Sequence, residues 1–346
     1  MSVEAFLGVR VFMGSVTNVA NTPFRRWVTA WGARATLGEM ALAQRIAKGG
    51  RQDRLLLRHH PEERCFGAQI VGARDGDLVQ AAQAAREAGA RFIDLNCACP
   101  HRSVTDRGGG AALARRPVRV GRAVGAMVAA LAGSESVPVT VKLRSGWDRD
   151  HINAVEAARA AVDNGAAAIF VHGRTREERY RGQADWDLVA QVAASLPVPV
   201  IGCGDVAHGP DVAARLSGGC AGVAIARGAL IKPWIFREIE QGCVLDPSGE
   251  ERLEALRELV RLSLEHFGQD GLGLTRAHHF LHLQMDFLTR YVPVGALGRE
   301  LGMQERVNEW QARDELEALW AGRERAQWAA LLSMAALPPL AESQDA

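Results

Sequence analysis

The sequence is organised around one segment, Arg91-Phe92-Ile93-Asp94-Leu95-Asn96-Cys97-Ala98-Cys99-Pro100. A mostly apolar run at 92–95 passes into a polar residue, two thiols and a proline, which is typical of a buried parallel strand that ends at a site. In a βα barrel the carboxyl ends of the strands face the ligand, so Cys99 is the candidate reacting residue. Taken alone, the segment favours a core in which Cys97 and Cys99 are small hydrophobic residues, and the rest of the chain changes that balance.

Strand-like runs alternate with alanine-rich amphipathic stretches through about the first 240 residues. The predicted strands are 9–13, 35–40, 66–71, 92–96, 138–143, 168–172, 199–202 and 222–226. The predicted helices between them include 77–88, 118–132, 151–164 and 186–195. Eight near-continuous apolar strands that alternate with helices favour an α/β fold class with a closed (β/α)8 TIM barrel over an open sheet. No Gly-x-Gly-x-x-Gly follows the first strand, which argues against a dinucleotide-binding fold.

A second domain is predicted from about residue 249, where helical patterns at 250–267, 274–291 and 313–336 have no strand between them. We therefore expect a TIM-barrel catalytic domain over residues 1–243 and a C-terminal all-helical domain over 244–338. A disordered tail is expected at 339–346, after Pro338 and Pro339.

The composition, with 48% hydrophobic residues in 346, is that of a well-cored globular protein. No apolar run reaches the roughly 18–20 residues that span a membrane, and no secretion signal is recognisable at the amino terminus. The six cysteines have neither disulfide nor metal-binding spacing. We therefore expect a cytoplasmic protein, monomeric, with no metal site and no membrane partner.

The net charge of +1 conceals an asymmetry between the two parts of the chain. From Val244 onward 10 Arg and 17 Asp plus Glu give −7, which leaves +8 for the residues before it. A polyanion should therefore approach the first part. We expect the positive face to follow the barrel mouth through Arg102, Arg107, Arg144, Arg174, Arg176 and Arg181.

Polar side chains occur at the ends of the predicted strands. They are Gln69, Asn96, Cys99, Lys142, Arg144, His172, Arg174, Arg176, Asp205 and Arg227. Glycines after strands seven and eight, Gly204 and Gly228, are typical of the phosphate-binding corner of many barrels. A phosphate corner, an ammonium, an imidazole and a thiol together suit a flavin mononucleotide. Lys142 would lie near the pyrimidine edge of its ring and the Cys99 thiol across the ring.

A set of motifs runs through nearly the whole chain. They are Met13-Gly14-Ser15-Val16-Thr17, Pro23-Phe24-Arg25, Gly38-Glu39-Met40, the segment 94–100, Val141-Lys142-Leu143-Arg144, His172-Gly173-Arg174-Thr175-Arg176, Tyr180, Ala184-Asp185-Trp186, Gly204-Asp205 and Arg227-Gly228-Ala229. In this order and spacing the chain resembles the tRNA-dihydrouridine synthases. Within that family, residues 107–113, 225–234 and 287–295 are most similar to the eukaryotic branch that reduces a uridine in the tRNA variable loop, here without its zinc-finger extension.

The resemblance implies an FMN enzyme that takes electrons from NADPH or NADH and acts on RNA, with tRNA as the expected substrate. Hydride would pass from the flavin to C6 of a uracil, and Cys99 would protonate C5. The flavin would be held by Met13, Gly14, Gln69, Lys142, His172, Gly204, Asp205, Ala226 and Arg227. The flipped uridine or nearby phosphates would be held by Asn96, Arg144, Arg174, Arg176 and Tyr180. An extruded base is what a deep barrel mouth requires.

Among the departures from the family pattern, Ala98 stands where Gly is usual and Cys203 where Asn is usual. They leave open an RNA-binding relative that has lost efficient catalysis. A second alternative is an FMN barrel that acts on a free pyrimidine, like the dihydroorotate dehydrogenases. The arginines and the helical domain favour RNA, because a small substrate needs neither. Residue types do not decide between tRNA and ribosomal RNA.

Overall fold

The computed structural model describes residues 8–133, 136–307 and 310–340. In chain order its elements are β1 (Val11–Met13), α1 (Thr22–Ala30), β2 (Ala35–Leu42), α2 (Ala43–Ala47), α3 (Arg51–Leu55), β3 (Phe66–Val71), α4 (Asp75–Glu87), β4 (Phe92–Cys97), α5 (Arg102–Thr105), α6 (Ala111–Ala114), α7 (Pro117–Ala130), β5 (Val139–Arg144), α8 (Ala154–Asp163), β6 (Ala168–His172), α9 (Trp186–Ala194), β7 (Val200–Cys203), α10 (Gly209–Ser217), β8 (Gly222–Ile225), α11 (Arg227–Ile231), α12 (Ile235–Gln241), α13 (Gly249–Phe267), α14 (Gly271–Leu288), α15 (Val294–Leu297), α16 (Glu315–Ala321) and α17 (Arg325–Met334).

The chain divides into two compact units. The first comprises the residues up to Ala20, Ala33–Val206 and Pro210–Ala226. The second comprises Asn21–Gly32, Ala207–Gly209 and the residues from Arg227 on. No helix of the described ranges is both long and apolar enough to cross a membrane.

The first unit is a parallel barrel. Each strand pairs with the next in sequence, and β8 pairs with β1, so that the sheet closes. Helices follow the strands, and each strand begins and ends within two residues of its predicted bounds. The predicted (β/α)8 TIM barrel is therefore confirmed, because near-continuous apolar strands are stable only when both faces of the sheet are covered.

The lower part of the barrel interior is aromatic. Phe12 lies 5.4 Å from Phe170, and Phe92 stacks on Phe170 at 6.4 Å, measured between ring centroids. Gly67 is the register partner of Phe92, and a Cβ atom on Gly67 would lie 2.1 Å from the Phe92 ring. The glycine thus leaves the space that the ring of its neighbour fills. Side chains alternate along a strand, so the residues two positions further along, Gln69 and Asp94, continue the same interior face.

The other face of the strands packs against helices. α8 shows the pattern: Ala154, Ala157, Ala158 and Ala161 are buried with the spacing of one helix face. Small side chains let such helices approach the sheet closely. Cys97 belongs to this outer core and is fully buried.

The second unit is helical, as predicted, but its boundary differs from residue 243. α11 and α12 belong to it because Lys232 between them forms ion pairs with Glu238 at 2.7 Å and with Glu300 at 2.8 Å. α1, from the loop after β1, also belongs to it, since Trp27 Nε1 donates a hydrogen bond to the Ala255 carbonyl at 2.8 Å. Such long-range contacts are invisible in local sequence patterns.

The predicted helix at 313–336 is wrong in its continuity, because the structure has two helices there, α16 and α17. The backbone of Gly322 is extended, with φ −73° and ψ 145°, and ends α16. Glu324 then begins α17 with a reciprocal capping box that includes Gln327. Of the predicted tail, residues 341–346 lie outside the described ranges.

Substituting Gly67→Ala should lower the free energy of unfolding by about 1–3 kcal/mol, because the new Cβ atom has no room beside the Phe92 ring. The measurement is chemical denaturation. Gly76→Ala is the matched control, since a Cβ atom there meets no atom within 4 Å. Equal stability of the two variants would contradict this account of the barrel interior.

Candidate active site

Cys99 and Cys97 lie in different environments although only one residue separates them. Cys97 is the last residue of β4, and its thiol is fully buried against the outer helices. Burial raises the pKa of the Cys97 thiol above its ordinary range. Cys99 follows the end of the strand and is half-buried. Of these two thiols, Cys99 is therefore the one accessible to a reactant.

The backbone around Cys99 is held by hydrogen bonds from several directions. Asn96 Oδ1 accepts the N–H groups of Ala98 at 3.0 Å and of Cys99 at 2.8 Å. The Cys99 carbonyl accepts the N–H of Ala111 at 3.1 Å. Arg144 Nε donates to the Ala98 carbonyl at 2.8 Å. The backbone around Cys99 therefore has few torsion angles that are free to change, as a reacting group with a fixed position requires.

A glycine completes this arrangement. Gly110 has φ +57°, and a Cβ atom on it would lie 2.7 Å from the Cys99 carbonyl oxygen. Sequence reasoning assigned no role to Gly110. The run of glycines at 108–110 was the available signal, but only the fold brings it against Cys99.

A polar layer lies inside the barrel above the phenylalanines. Gln69 Nε2 donates to Asp94 Oδ2, and Thr140 Oγ1 donates to Asp94 Oδ1, each at 2.8 Å. Asn96 Nδ2 donates to Gln69 Oε1 at 2.8 Å. Burial raises the pKa of Asp94, while the two hydrogen bonds and the charge of Lys142 act in the opposite direction. Asp94 and Thr140 were not among the predicted site residues.

Arg144 is 6% exposed and therefore does not lie on the expected positive face. Its Nη1 donates to the carbonyls of Thr175 at 3.0 Å and Arg179 at 3.1 Å. Burial lowers the pKa of Arg144 to about 10, so the guanidinium remains charged at neutral pH. Arg144 thereby connects the loop before Cys99 to the loop after β6.

Arg174 is fully buried, so the expectation of surface exposure is wrong for this residue too. Its Nη2 forms an ion pair with Asp205 Oδ2 at 2.6 Å, and its Nε donates to the Arg181 carbonyl at 3.0 Å. Asp205 Oδ2 also accepts the N–H of Ala184 at 2.7 Å. Nη1 of Arg174 has no hydrogen-bond partner among the described residues, which leaves one buried donor of this guanidinium group unsatisfied.

An aromatic ring holds another predicted site residue. The guanidinium carbon of Arg176 lies 4.4 Å from the centre of the Trp147 ring, and that of Arg115 lies 4.7 Å from it. Sequence reasoning missed Trp147, which follows β5 and carried no motif signal. Tyr180, in the same loop as Arg176, is 53% exposed.

The remaining predicted cofactor residues are at strand ends. Lys142 on β5 is the register partner of Asn96, and His172 ends β6. Gly204 has φ +122°, and a Cβ atom on it would lie 2.6 Å from that of Ala184. Cys203, which ends β7, is buried, and burial raises its thiol pKa.

The ends of β1 and β8 come close together. Met13 is fully buried, and the N–H of Gly14 donates to the Ile225 carbonyl at 2.7 Å. A Cβ atom on Gly14 would lie 3.4 Å from that of Ala226. Arg227, the next residue, is the first of α11 and belongs to the second unit, as does Gly228.

Arginines of the first unit line two surface cavities. One of about 430 Å³ is lined by Arg115, Arg116 and Arg119. Another, of about 350 Å³, is lined by Arg45, Arg74 and Arg107. Positive charge is thus available on the side of the barrel that carries the loop after β4.

A TIM barrel with an accessible thiol and several cationic side chains at the carboxyl ends of its strands is of the class that carries out chemistry at that face. A model of the dihydrouridine synthase (Dus) family matches residues 14–290. The chain therefore belongs to the dihydrouridine synthase family.

Its relatives include a tRNA-dihydrouridine(47) synthase of Coprinopsis cinerea, 37% identical over 341 residues, covering 94% of this chain and 50% of that protein. A protein of Homo sapiens, named as tRNA-dihydrouridine(47) synthase-like, is 36% identical over 332 residues, covering 94% of this chain and 50% of that protein. The chain thus spans about half the length of these curated relatives. Morphinone reductase aligns with a TM-score of 0.49 at 16% identity, over 70% of this chain and 88% of that one, which is too weak a likeness to inform function.

Substituting Gly110→Ala should release the backbone around Cys99, because a side chain there strains a positive φ and meets the Cys99 carbonyl. We expect faster alkylation of Cys99 by iodoacetamide and a loss of about 1–2 kcal/mol in unfolding free energy. Gly109→Ala is the matched control, since its Cβ atom would find only ordinary contacts of 3.4 Å or more. The same rate of Cys99 alkylation in both variants would exclude this role of Gly110.

Proposed function

We propose that this protein reduces a uridine of RNA to 5,6-dihydrouridine, with tRNA as the RNA and NADPH or NADH as the source of electrons. The carrying observation is the half-buried thiol of Cys99, whose backbone is held by Asn96, Arg144 and Ala111 at the carboxyl end of β4. The relatives named above act, by their names, at tRNA position 47, and we propose the same position, in the variable loop, for this chain.

The residues at the strand ends fit an FMN cofactor. The unpartnered Nη1 of Arg174 and the side chains of Lys142 and His172 offer cationic or donor groups to an anionic ligand. FMN would be held by Met13, Gly14, Gln69, Lys142, His172, Gly204, Asp205, Ala226 and Arg227. When bound, it supplies the transfer of hydride from the nicotinamide to uracil C6.

Cys99 supplies the proton. Sγ–H donates to C5 of the uracil as C6 is reduced, and the thiolate that remains regains a proton from solvent. The base must leave the RNA stack to reach the thiol. Asn96, Arg144, Arg174, Arg176 and Tyr180 stay as proposed contacts of the uridine or its phosphates. Since Arg144 and Arg174 already bind backbone carbonyls, their first contribution is to hold the loops that such a base would meet.

RNA outside the extruded uridine needs a positive surface. The cavities lined by Arg115, Arg116 and Arg119 and by Arg45, Arg74 and Arg107 offer one, and phosphate contacts of this kind position an RNA without reading its sequence. We further propose that the protein works as a monomer in the cytoplasm, where its free cysteines stay reduced.

The test of the activity is mass-spectrometric mapping of dihydrouridine in total RNA from a strain that lacks this gene. We expect loss of dihydrouridine at tRNA position 47, recovery with the wild-type gene and no recovery with Cys99→Ala. Cys97→Ala is the control, because its thiol faces the outer helices and should be dispensable for the chemistry. Loss of dihydrouridine from ribosomal RNA instead would show that the substrate is ribosomal RNA and not tRNA. No loss anywhere, together with a purified protein that takes up no flavin, would reject the proposal.

Replacing Lys142→Ala should lower the flavin bound per protein or slow its reduction by NADPH, because a cation beside the pyrimidine edge stabilises reduced flavin. Visible absorbance and stopped-flow reduction measure these quantities. Lys48→Ala is the control, since Lys48 is exposed at the end of α2. Unchanged flavin content and rate in Lys142→Ala would remove Lys142 from the cofactor site.

A further inference from the structure

We propose that Asp94 is a positioning residue for Cys99: it sets the direction of the hydrogen-bond chain that ends at the Cys99 backbone. Asp94 is the member of this hydrogen-bond chain that lies furthest from the thiol. Its position in the sequence motif did not indicate a role for it. The inference deepens the proposed function, since Cys99 is the proton donor of that function.

One end of the chain is determined by the backbone. The N–H groups of Ala98 and Cys99 can only donate, so Asn96 must turn its oxygen towards them and its nitrogen away. If Asn96 were turned over, its NH2 group would face two N–H groups, and both backbone donors would lose their acceptor.

The other end is determined by a carboxyl group. Asp94 Oδ2 accepts from Gln69 Nε2, so Gln69 must turn its oxygen towards Asn96, where it accepts from Asn96 Nδ2. In Gln69 and in Asn96 the NH2 group donates to one neighbour and the oxygen accepts from the other. All of these hydrogen bonds can form together only when both amides have this orientation. A proton on Oδ1 would leave Oδ2 an acceptor, so a neutral Asp94 is also compatible with this direction.

Burial makes the direction matter. Asp94 and Thr140 are fully buried, Gln69 is 1% exposed and Asn96 is 7% exposed. Water therefore cannot replace a missing partner, and an unsatisfied donor or acceptor in such a place is costly. Without the acceptor at position 94, Gln69 can turn over, and Asn96 then loses the partner that keeps its oxygen on Cys99.

Thr140 distinguishes this role from simple stabilisation of the barrel. Its hydroxyl donates to Asp94 Oδ1, outside the path from Asp94 to Cys99. Thr140→Val removes a buried hydrogen bond but leaves the acceptor for Gln69 in place. A hydroxyl can also accept, so in Asp94→Asn the new NH2 group can face Thr140 while the amide oxygen faces Gln69.

The experiment measures alkylation of Cys99 by iodoacetamide in the full chain, relative to that of exposed Cys243, by peptide mass spectrometry. We expect Asp94→Leu to raise the ratio about tenfold, because the released backbone exposes the half-buried thiol. Thr140→Val and Asp94→Asn should each leave the ratio unchanged. The double variant Asp94→Asn/Thr140→Val keeps the side-chain volumes but removes the partner of the new NH2 group, and it should raise the ratio.

Buried Cys97 reports general unfolding in the same samples. The proposal would be overturned if the Cys99 ratio stayed at the wild-type value in Asp94→Leu and in the double variant. It would also be overturned if alkylation of Cys97 rose in parallel with that of Cys99 in both variants. The readout needs neither RNA nor flavin, so it is independent of the proposed activity. In an active enzyme, Asp94→Leu should also slow dihydrouridine formation.

Discussion

A carboxyl group enclosed in the barrel has no water to solvate it, so both oxygens of Asp94 must accept hydrogen bonds from neighbouring strands. β3 supplies Gln69 and β5 supplies Thr140. Strand register is thereby coupled to a polar layer, and the polar layer is coupled through Asn96 to the loop that carries Cys99. The phenylalanine layer beneath excludes water from this network, and Gly67 makes that layer possible.

Buried guanidinium groups hold the loops in place by hydrogen bonds, just as the polar layer holds the end of β4. Arg144 and Arg174 donate to carbonyls of loops that lie outside the helices and strands. Buried backbone carbonyls need donors, and a planar guanidinium group offers several in a fixed geometry. The chain therefore places these arginines in the interior, where they hold the loops at the carboxyl ends of the strands.

The barrel could be predicted because its signals are local. Eight apolar strands and their alanine-rich helices are each visible in a short window, and the closed parallel sheet follows from their alternation. Cys99 could be selected for the same reason, since a thiol just after a strand end lies at the functional face. The division into units could not be predicted, because it depends on contacts such as those of Trp27 with Ala255 and of Lys232 with Glu300. The break at Gly322 was missed although the sequence shows a glycine followed by three charged residues there.

By itself the sequence determined the fold class, the family and the set of polar residues at the strand ends, because periodicity and motif order do not depend on three-dimensional neighbours. Only the tertiary structure decided which of these side chains are free to meet a ligand. Arg144 and Arg174 were expected on the surface but are buried, and the structure shows why Cys97 and Cys99 differ, because Cys97 packs in the outer core and Cys99 does not. The physical reason is that hydrogen-bond partners and burial are set by elements distant in sequence. Gly110 and Asp94 acquire their relation to Cys99 only when the barrel closes.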